Sequence, residues 1–254
     1  MDWLSLTDPE RDALLRLTAL FHAGERGMAL DLLPLIQVIA REGRVEEELY
    51  LSSFLWEEAR HVETFRRFFS EVVRACEDLD QYRPETWRRM FREILPRALR
   101  RLRVDTSPVA QAEASAIYGL IVEGVLAETG YHACHAMLAR NGVLPGMQRA
   151  VGHLKEDEGR HLSYGVYLLS RLAAEHGETV WQAINSRVEQ LLPQALDVIS
   201  ETFAPCDRLP FGIDPQEMRV FAQAQIRRRM SCIEAARGRP VSDICGCGED
   251  GEGI

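Results

Sequence analysis

The sequence predicts an all-α protein, a four-helix bundle with additional flanking helices. Three observations lead there. Between clusters of glycine and proline, apolar residues return every three or four positions, the period of an amphipathic helix. No stretch shows the period-two alternation of a half-buried strand. Two pairs of long helical segments are joined by short turns, REGRVE and ARNGVLPG, and turns that short make helices antiparallel neighbours.

Start and stop signals place the helices in order at 8–42, 45–74, 83–103, 107–141, 145–176, 178–204 and 214–237. The first two form a hairpin around REGRVE, the fourth and fifth form another around ARNGVLPG, and these four make the bundle. Segments 83–103, 178–204 and 214–237 carry Arg, Glu and Gln on one side, as helices packed around the outside do. No linker divides 1–240, so a single domain is expected there, followed by a flexible tail over 241–254. With 254 residues, 46% of them hydrophobic, the chain can bury a sizeable core.

A formal net charge of −9 argues against nucleic acid as the main partner. The longest stretch without a charged side chain, 129–139, is far below the roughly 20 residues that cross a bilayer, so no membrane span is expected. The N-terminus has no basic region leading into an apolar block, so no secretory signal is expected and the location read from the sequence is cytoplasmic. Six cysteines without a framework of spacings suit reduced thiols; the Cys245/Cys247 pair in the tail is a weak metal signal and reads as incidental.

The chemistry lies in a repeated motif. Glu-x-x-His occurs at Glu58/His61 and again at Glu158/His161, each inside an expected helix. Three residues advance a helix by about 300°, so carboxylate and imidazole project from one face a turn apart, as two ligands of one ion must. Glu25 and Glu123 stand 33 and 35 residues before the two glutamates, each on the preceding helix of its hairpin and each in apolar surroundings. An unpaired buried carboxylate there costs several kcal/mol. Two divalent cations balance four glutamates, and two neutral imidazoles complete the set. One Glu from each of two helices plus Glu-x-x-His from each of the other two is the ligand pattern of ferritin-like dimetal carboxylate proteins. The rival cluster, Glu128 with His132 and His135, also lines one helical face but has no mirror in the other half. His22, His153 and His176 read as structural or exposed. Asp157 and Glu57 precede the motif glutamates and stand where an acceptor could take the free N–H of an imidazole ligand. Tyr118, five residues before Glu123, is about 140° around an α-helix from it, which leaves open both core packing and reach to the metals.

At these residues the sequence resembles the ligand-binding oxidases related to the small subunit of class I ribonucleotide reductase. The resemblance runs through AGERGMALDLLP, EEELYLSSFLWEEARHVETFR, AIYGLIVEGVLAETGYHA, GVLPGMQ, EDEGRHLSYG, LPFGID and ARGRPVSDI. It implies a ferritin-like fold with Glu25, Glu58, His61, Glu123, Glu158 and His161 as metal ligands. It also implies O2 activation at a Mn/Fe pair, a long-chain fatty acid whose carboxylate contacts the metals, and a homodimer. An Fe/Fe pair is the alternative cofactor, because raw affinity favours iron over manganese. In that family a tyrosine matched by Tyr118 becomes linked to the β-carbon of a valine; here the valine's position holds Met28, with a secondary β-carbon and an oxidisable thioether. The expectation is that Met28 diverts oxidation to its own sulfur or to an added substrate. Two other functions stay open: a true ribonucleotide reductase subunit, whose radical path the tail CGCGEDGEGI has no aromatic residue to continue, and a metal- or lipid-binding protein without turnover.

Overall fold

The computed structural model describes residues 3–74, 79–204 and 209–244. Among the described residues there are helices and no strand. The helical regions follow the expected order, but three of them are interrupted for identifiable reasons.

The segment expected as 8–42 is two helices, α1 (Asp8–Asp31) and α2 (Leu33–Arg41). The break at Leu32 precedes Pro34, which lacks an amide hydrogen and whose ring crowds the preceding turn. α3 (Val45–Arg67) continues into a π-helical turn, Phe68–Val73, that stops where Arg74 turns left-handed at φ 55°. The region 83–103 is α4 (Glu85–Arg89), a π turn Met90–Ile94 and α5 (Leu95–Arg101), the π turn lying just ahead of Pro96. The third interruption matters most. α6 (Pro108–Ser115) runs into a twelve-residue π-helical stretch, Ala116–Ala127, before α7 (Glu128–Asn141) resumes α geometry. α8 (Pro145–His176), α9 (Glu178–Phe203) and α10 (Pro215–Ala236) match expectation closely.

The four bundle members are α1, α3, the run from α6 to α7, and α8; α9 and α10 pack across the π stretch and α8 from outside. The run Pro108–Asn141 is long and apolar enough, by length and composition, to cross a membrane. Counting charge-free stretches missed this because Glu113, Glu123 and Glu128 interrupt it. Its most apolar window is 83% buried inside the protein, so that surface is spent on the core.

The π stretch is held open from two sides. Gly119 lies against Gly165 of α8, whose Cα stands 3.5 Å from where a Cβ on Gly119 would be. The Arg229 guanidinium of α10 donates to the Gly124 carbonyl (3.0 Å) and to both carboxylate oxygens of Glu128 (2.9 and 2.8 Å). Arg229→Met strands a largely buried carboxylate and a widened carbonyl together, and is expected to cost about 3 kcal/mol. Urea unfolding of the metal-free variant measures it.

Two cysteine expectations come out differently. Cys134 is a buried free thiol, as read, but Cys232 is disulfide-bonded. Spacing along a chain does not show which residues folding brings together. Cys76, Cys206, Cys245 and Cys247 lie outside the described residues, as does 245–254 of the expected tail.

Candidate metal centre

The six side chains singled out by spacing converge at the centre of the bundle, each 2% exposed or less. α1 brings Glu25, α3 brings Glu58 and His61, the π stretch brings Glu123, and α8 brings Glu158 and His161. Donor atoms of Glu25, Glu58, His61 and Glu158 form one group able to hold an ion; those of Glu58, Glu123 and His161 form a second. His61 Nδ1 lies 3.2 Å from Glu25, 3.9 Å from Glu58 and 3.5 Å from Glu158. His161 Nδ1 lies 3.3 Å from Glu58 and 3.8 Å from each of Glu123 and Glu158. Glu58 and Glu158 thus approach both imidazoles, whereas Glu25 approaches only His61 and Glu123 only His161.

The far side of each ring is anchored across the bundle. His61 Nε2 donates to Asp157 of α8 (3.1 Å), and His161 Nε2 donates to Glu57 of α3 (2.8 Å). Donating Nε2–H outward turns Nδ1 toward the carboxylates, the orientation a metal ligand needs; His161 Nδ1 has no partner there, and His61 Nδ1 faces Glu25 at 3.2 Å. Burial by itself would raise Asp157, but hydrogen bonds from His61 and Arg160 outweigh it and hold the carboxyl down at about 2.

The inner groups are in the opposite condition. Both oxygens of Glu58, Glu123 and Glu158, and Nδ1 of His161, are buried without a hydrogen-bond partner. Burial, then the neighbouring carboxylates, push Glu58 and Glu158 well above the ordinary range; burial foremost raises Glu123 to about 7. Burial lowers His61, but Glu25 and Asp157 override it and raise it to about 9. His161 is pushed well below its usual value by burial and by His61. Carboxyl oxygens and a ring nitrogen left without partners, crowded around two imidazoles, fit a pair of divalent cations.

Tyr118 lies within this environment. Its hydroxyl is buried and unpartnered, and burial followed by the charges of Glu58, Glu123 and Glu158 raises it well above 10. The α-helical estimate of 140° does not apply, because a π-helix bonds i to i+5 and so brings residues five apart onto one face. Met28, 2% exposed, lines an apolar cavity of about 60 Å3 that reaches Glu25 and is walled by Phe21, Phe91, Val122 and Phe203.

Sequence reasoning missed three contributors. Tyr131 donates its hydroxyl to the Glu25 oxygen that His61 leaves free, and packs at a tilt against Phe21. Phe54 lies flat on His161 at 3.5 Å between ring centroids, and Arg160 bridges Glu57 and Asp157. Phe54 lies four residues before Glu58, one turn along the same helix, a signal that was readable. Tyr131→Phe removes one buried hydrogen bond from Glu25, an expected loss of about 1 kcal/mol in thermal unfolding of the metal-loaded protein. The rival cluster does not assemble: Glu128 is taken by Arg229, and His132 stacks on Phe221. His153 and His176 are exposed, and His22 is half-buried beside Phe69.

The family described as "Ribonucleotide reductase, small chain" matches residues 1–236. The chain belongs to that family. Solved structures place this small-chain member beside the R2-like ligand-binding oxidases. One with an aerobically reconstituted Mn/Fe cofactor is 33% identical, with a TM-score of 0.86, over 94% of this chain and 85% of that one. An aerobically reconstituted Mn/Fe mutant matches at 33% identity and TM-score 0.86 over 91% and 83%. A mutant with a non-activated Mn/Mn cofactor matches at 33% and 0.85 over 91% and 82%. The ferritin-like fold and a cluster able to hold two metals are therefore common to this chain and its relatives.

Proposed function

We propose that this small-chain relative is an O2-dependent oxidase holding one manganese and one iron ion, with a long-chain fatty acid or similar hydrophobic carboxylate as its ligand. The observation that carries the reading is the set of buried carboxylate oxygens with no partner around two imidazoles. Glu25 and His61 would hold one ion, Glu123 and His161 the other, and Glu58 and Glu158 both. When bound, the ions supply the capacity to pass electrons to O2 that no side chain here has. Fe/Fe is the alternative occupancy.

The chain's own residues bind, orient and exclude water. Glu25 lines the apolar cavity, so a carboxylate head beside it meets an acidic group unless cations stand between them. At about 60 Å3 the cavity falls short of the roughly 300 Å3 of an ordinary ligand pocket, so a long chain enters only when lining side chains move. Met28 and Met218 are the thioethers on that wall, and Met28 stands three residues from Glu25. A dimer is supported by α3, which exposes Val45, Leu49 and Trp56 at 55, 68 and 59%.

Oxygen uptake after anaerobic loading with Mn(II) and Fe(II), with and without palmitate, tests the function. Stoichiometric uptake altered by palmitate is expected; no uptake by protein that retains both metals favours the non-enzymatic reading. Peptide mass spectrometry after aerobic loading is expected to find one added oxygen on the Met28 peptide. A Tyr118–Met28 linked peptide lighter by two hydrogens overturns the role given to Met28.

A further inference from the structure

The second glutamate–histidine motif reads Glu-Gly-Arg-His, and its arginine does something the ligand pattern does not require. Arg160 Nη2 carries two hydrogens. One is given to Glu57 Oε1 at 2.7 Å and the other to Asp157 Oδ1, while Nη1 donates to the Glu156 carbonyl at 3.2 Å. The remaining oxygen of each carboxylate, Glu57 Oε2 and Asp157 Oδ2, accepts from an imidazole. The result is a closed arc: His61, Asp157, Arg160, Glu57, His161. A single nitrogen joins the outer supports of both imidazoles, across two helices. The Arg160 backbone is itself pinned, its carbonyl accepting from the Tyr50 hydroxyl at 2.6 Å.

We propose that Arg160 is a positioning residue for the dimetal centre, a guanidinium clasp that fixes the orientation of Glu57 and Asp157 and through them both imidazoles at once. The inference rests on the metal-centre reading above. A carboxylate held at one oxygen cannot rotate away from the ring held at its other. Both rings therefore keep Nδ1 turned inward, their separate supports Asp157 and Glu57 being tied together at one nitrogen. The arrangement also predicts coupling: the two ion positions share an outer brace as well as the inner carboxylates Glu58 and Glu158. Arg60, the equivalent arginine of the first motif, plays no such part, since it lies over the Trp56 ring. The brace is one-sided, and half of the Arg160 side chain remains in solvent, so replacing it disturbs little of the core.

Titration of metal-free protein with Co(II), followed by visible absorption, tests the clasp without reference to activity. Arg160→Met keeps the aliphatic stem and removes every donor. Its affinity for Co(II) is expected to fall about 10- to 100-fold at both positions, with an altered absorption envelope, while metal-free thermal unfolding barely moves. Arg160→Lys, which keeps charge and donors on a shorter arm, should recover part of the loss. In a Glu57→Gln, Asp157→Asn background the clasp has no ionised partners, and adding Arg160→Met should cost nothing further. Wild-type affinity and spectrum in Arg160→Met overturn the clasp alone, as does an undiminished loss in the double background. Failure of the unsubstituted protein to bind Co(II) overturns the metal-centre reading and the clasp with it.

Discussion

Glu58→Ala is expected to strip the protein of both ions, whereas Glu25→Ala and Glu123→Ala each leave about one. The asymmetry follows from position. Glu58 Oε1 lies 3.9 Å from one imidazole Nδ1 and 3.3 Å from the other, so its loss removes a charged donor from both groups. Glu25 and Glu123 each face one imidazole only. Elemental analysis after gel filtration reads the result as about two ions in the parent, near zero in Glu58→Ala and about one in the others. A folding failure is not expected to imitate this. Both Glu58 oxygens are buried and unpartnered, so in metal-free protein alanine removes a costly group as well as some packing. Metal-free Glu58→Ala should therefore unfold no earlier than its metal-free parent. Retention of two ions by Glu58→Ala, or retention of one by Glu58→Ala and none by Glu25→Ala, would refute the shared position.

The site was legible because it is built twice. Glu-x-x-His obeys the helical period, and its repetition at nearly the same distance from a preceding glutamate made six residues readable as one unit. The crossed supports, Glu57 for His161 and Asp157 for His61, were half legible: each neighbours a motif glutamate, but which ring it serves depends on how α3 and α8 face each other. Tyr131 and Arg160 act through three-dimensional neighbours and left no periodic trace. Helix positions were readable and helix type was not. Nothing in the residues Ala116–Ala127 distinguishes a π register from an α one, because the register is held by Arg229 and by the Gly119–Gly165 contact, both remote in sequence. The α-helical estimate for Tyr118 fails for that reason. The break at Leu32 was avoidable, since Pro34 stands in plain view.

Stripped of metal, the protein should lose stability as pH rises from about 5 to 8, opposite to what surface ion pairs would produce. The folded state raises the carboxyls of Glu58, Glu123 and Glu158, chiefly by burial. A carboxyl raised in the folded state contributes fully below its unfolded value near 4.5, and that contribution is lost as pH climbs through the folded value. For Glu123 the window runs from 4.5 to about 7, worth about 3 kcal/mol. His61 acts in the same direction, its advantage present below 6.5 and lost through about 9. His161 opposes them below 6.5, where the unfolded chain gains a proton that the buried ring refuses, but it is one group against several. Cations reverse the balance. Ions need ionised carboxylates and neutral imidazoles, so binding releases protons and tightens with pH over the window in which the bare site weakens the fold. Scanning calorimetry at pH 5, 6, 7 and 8, with chelator and with saturating Mn(II), should show the two melting temperatures diverging steadily toward high pH. Parallel curves would mean that the four carboxylates are not crowded together without their ions. In that event the electrostatic reason for placing two cations among them would be gone.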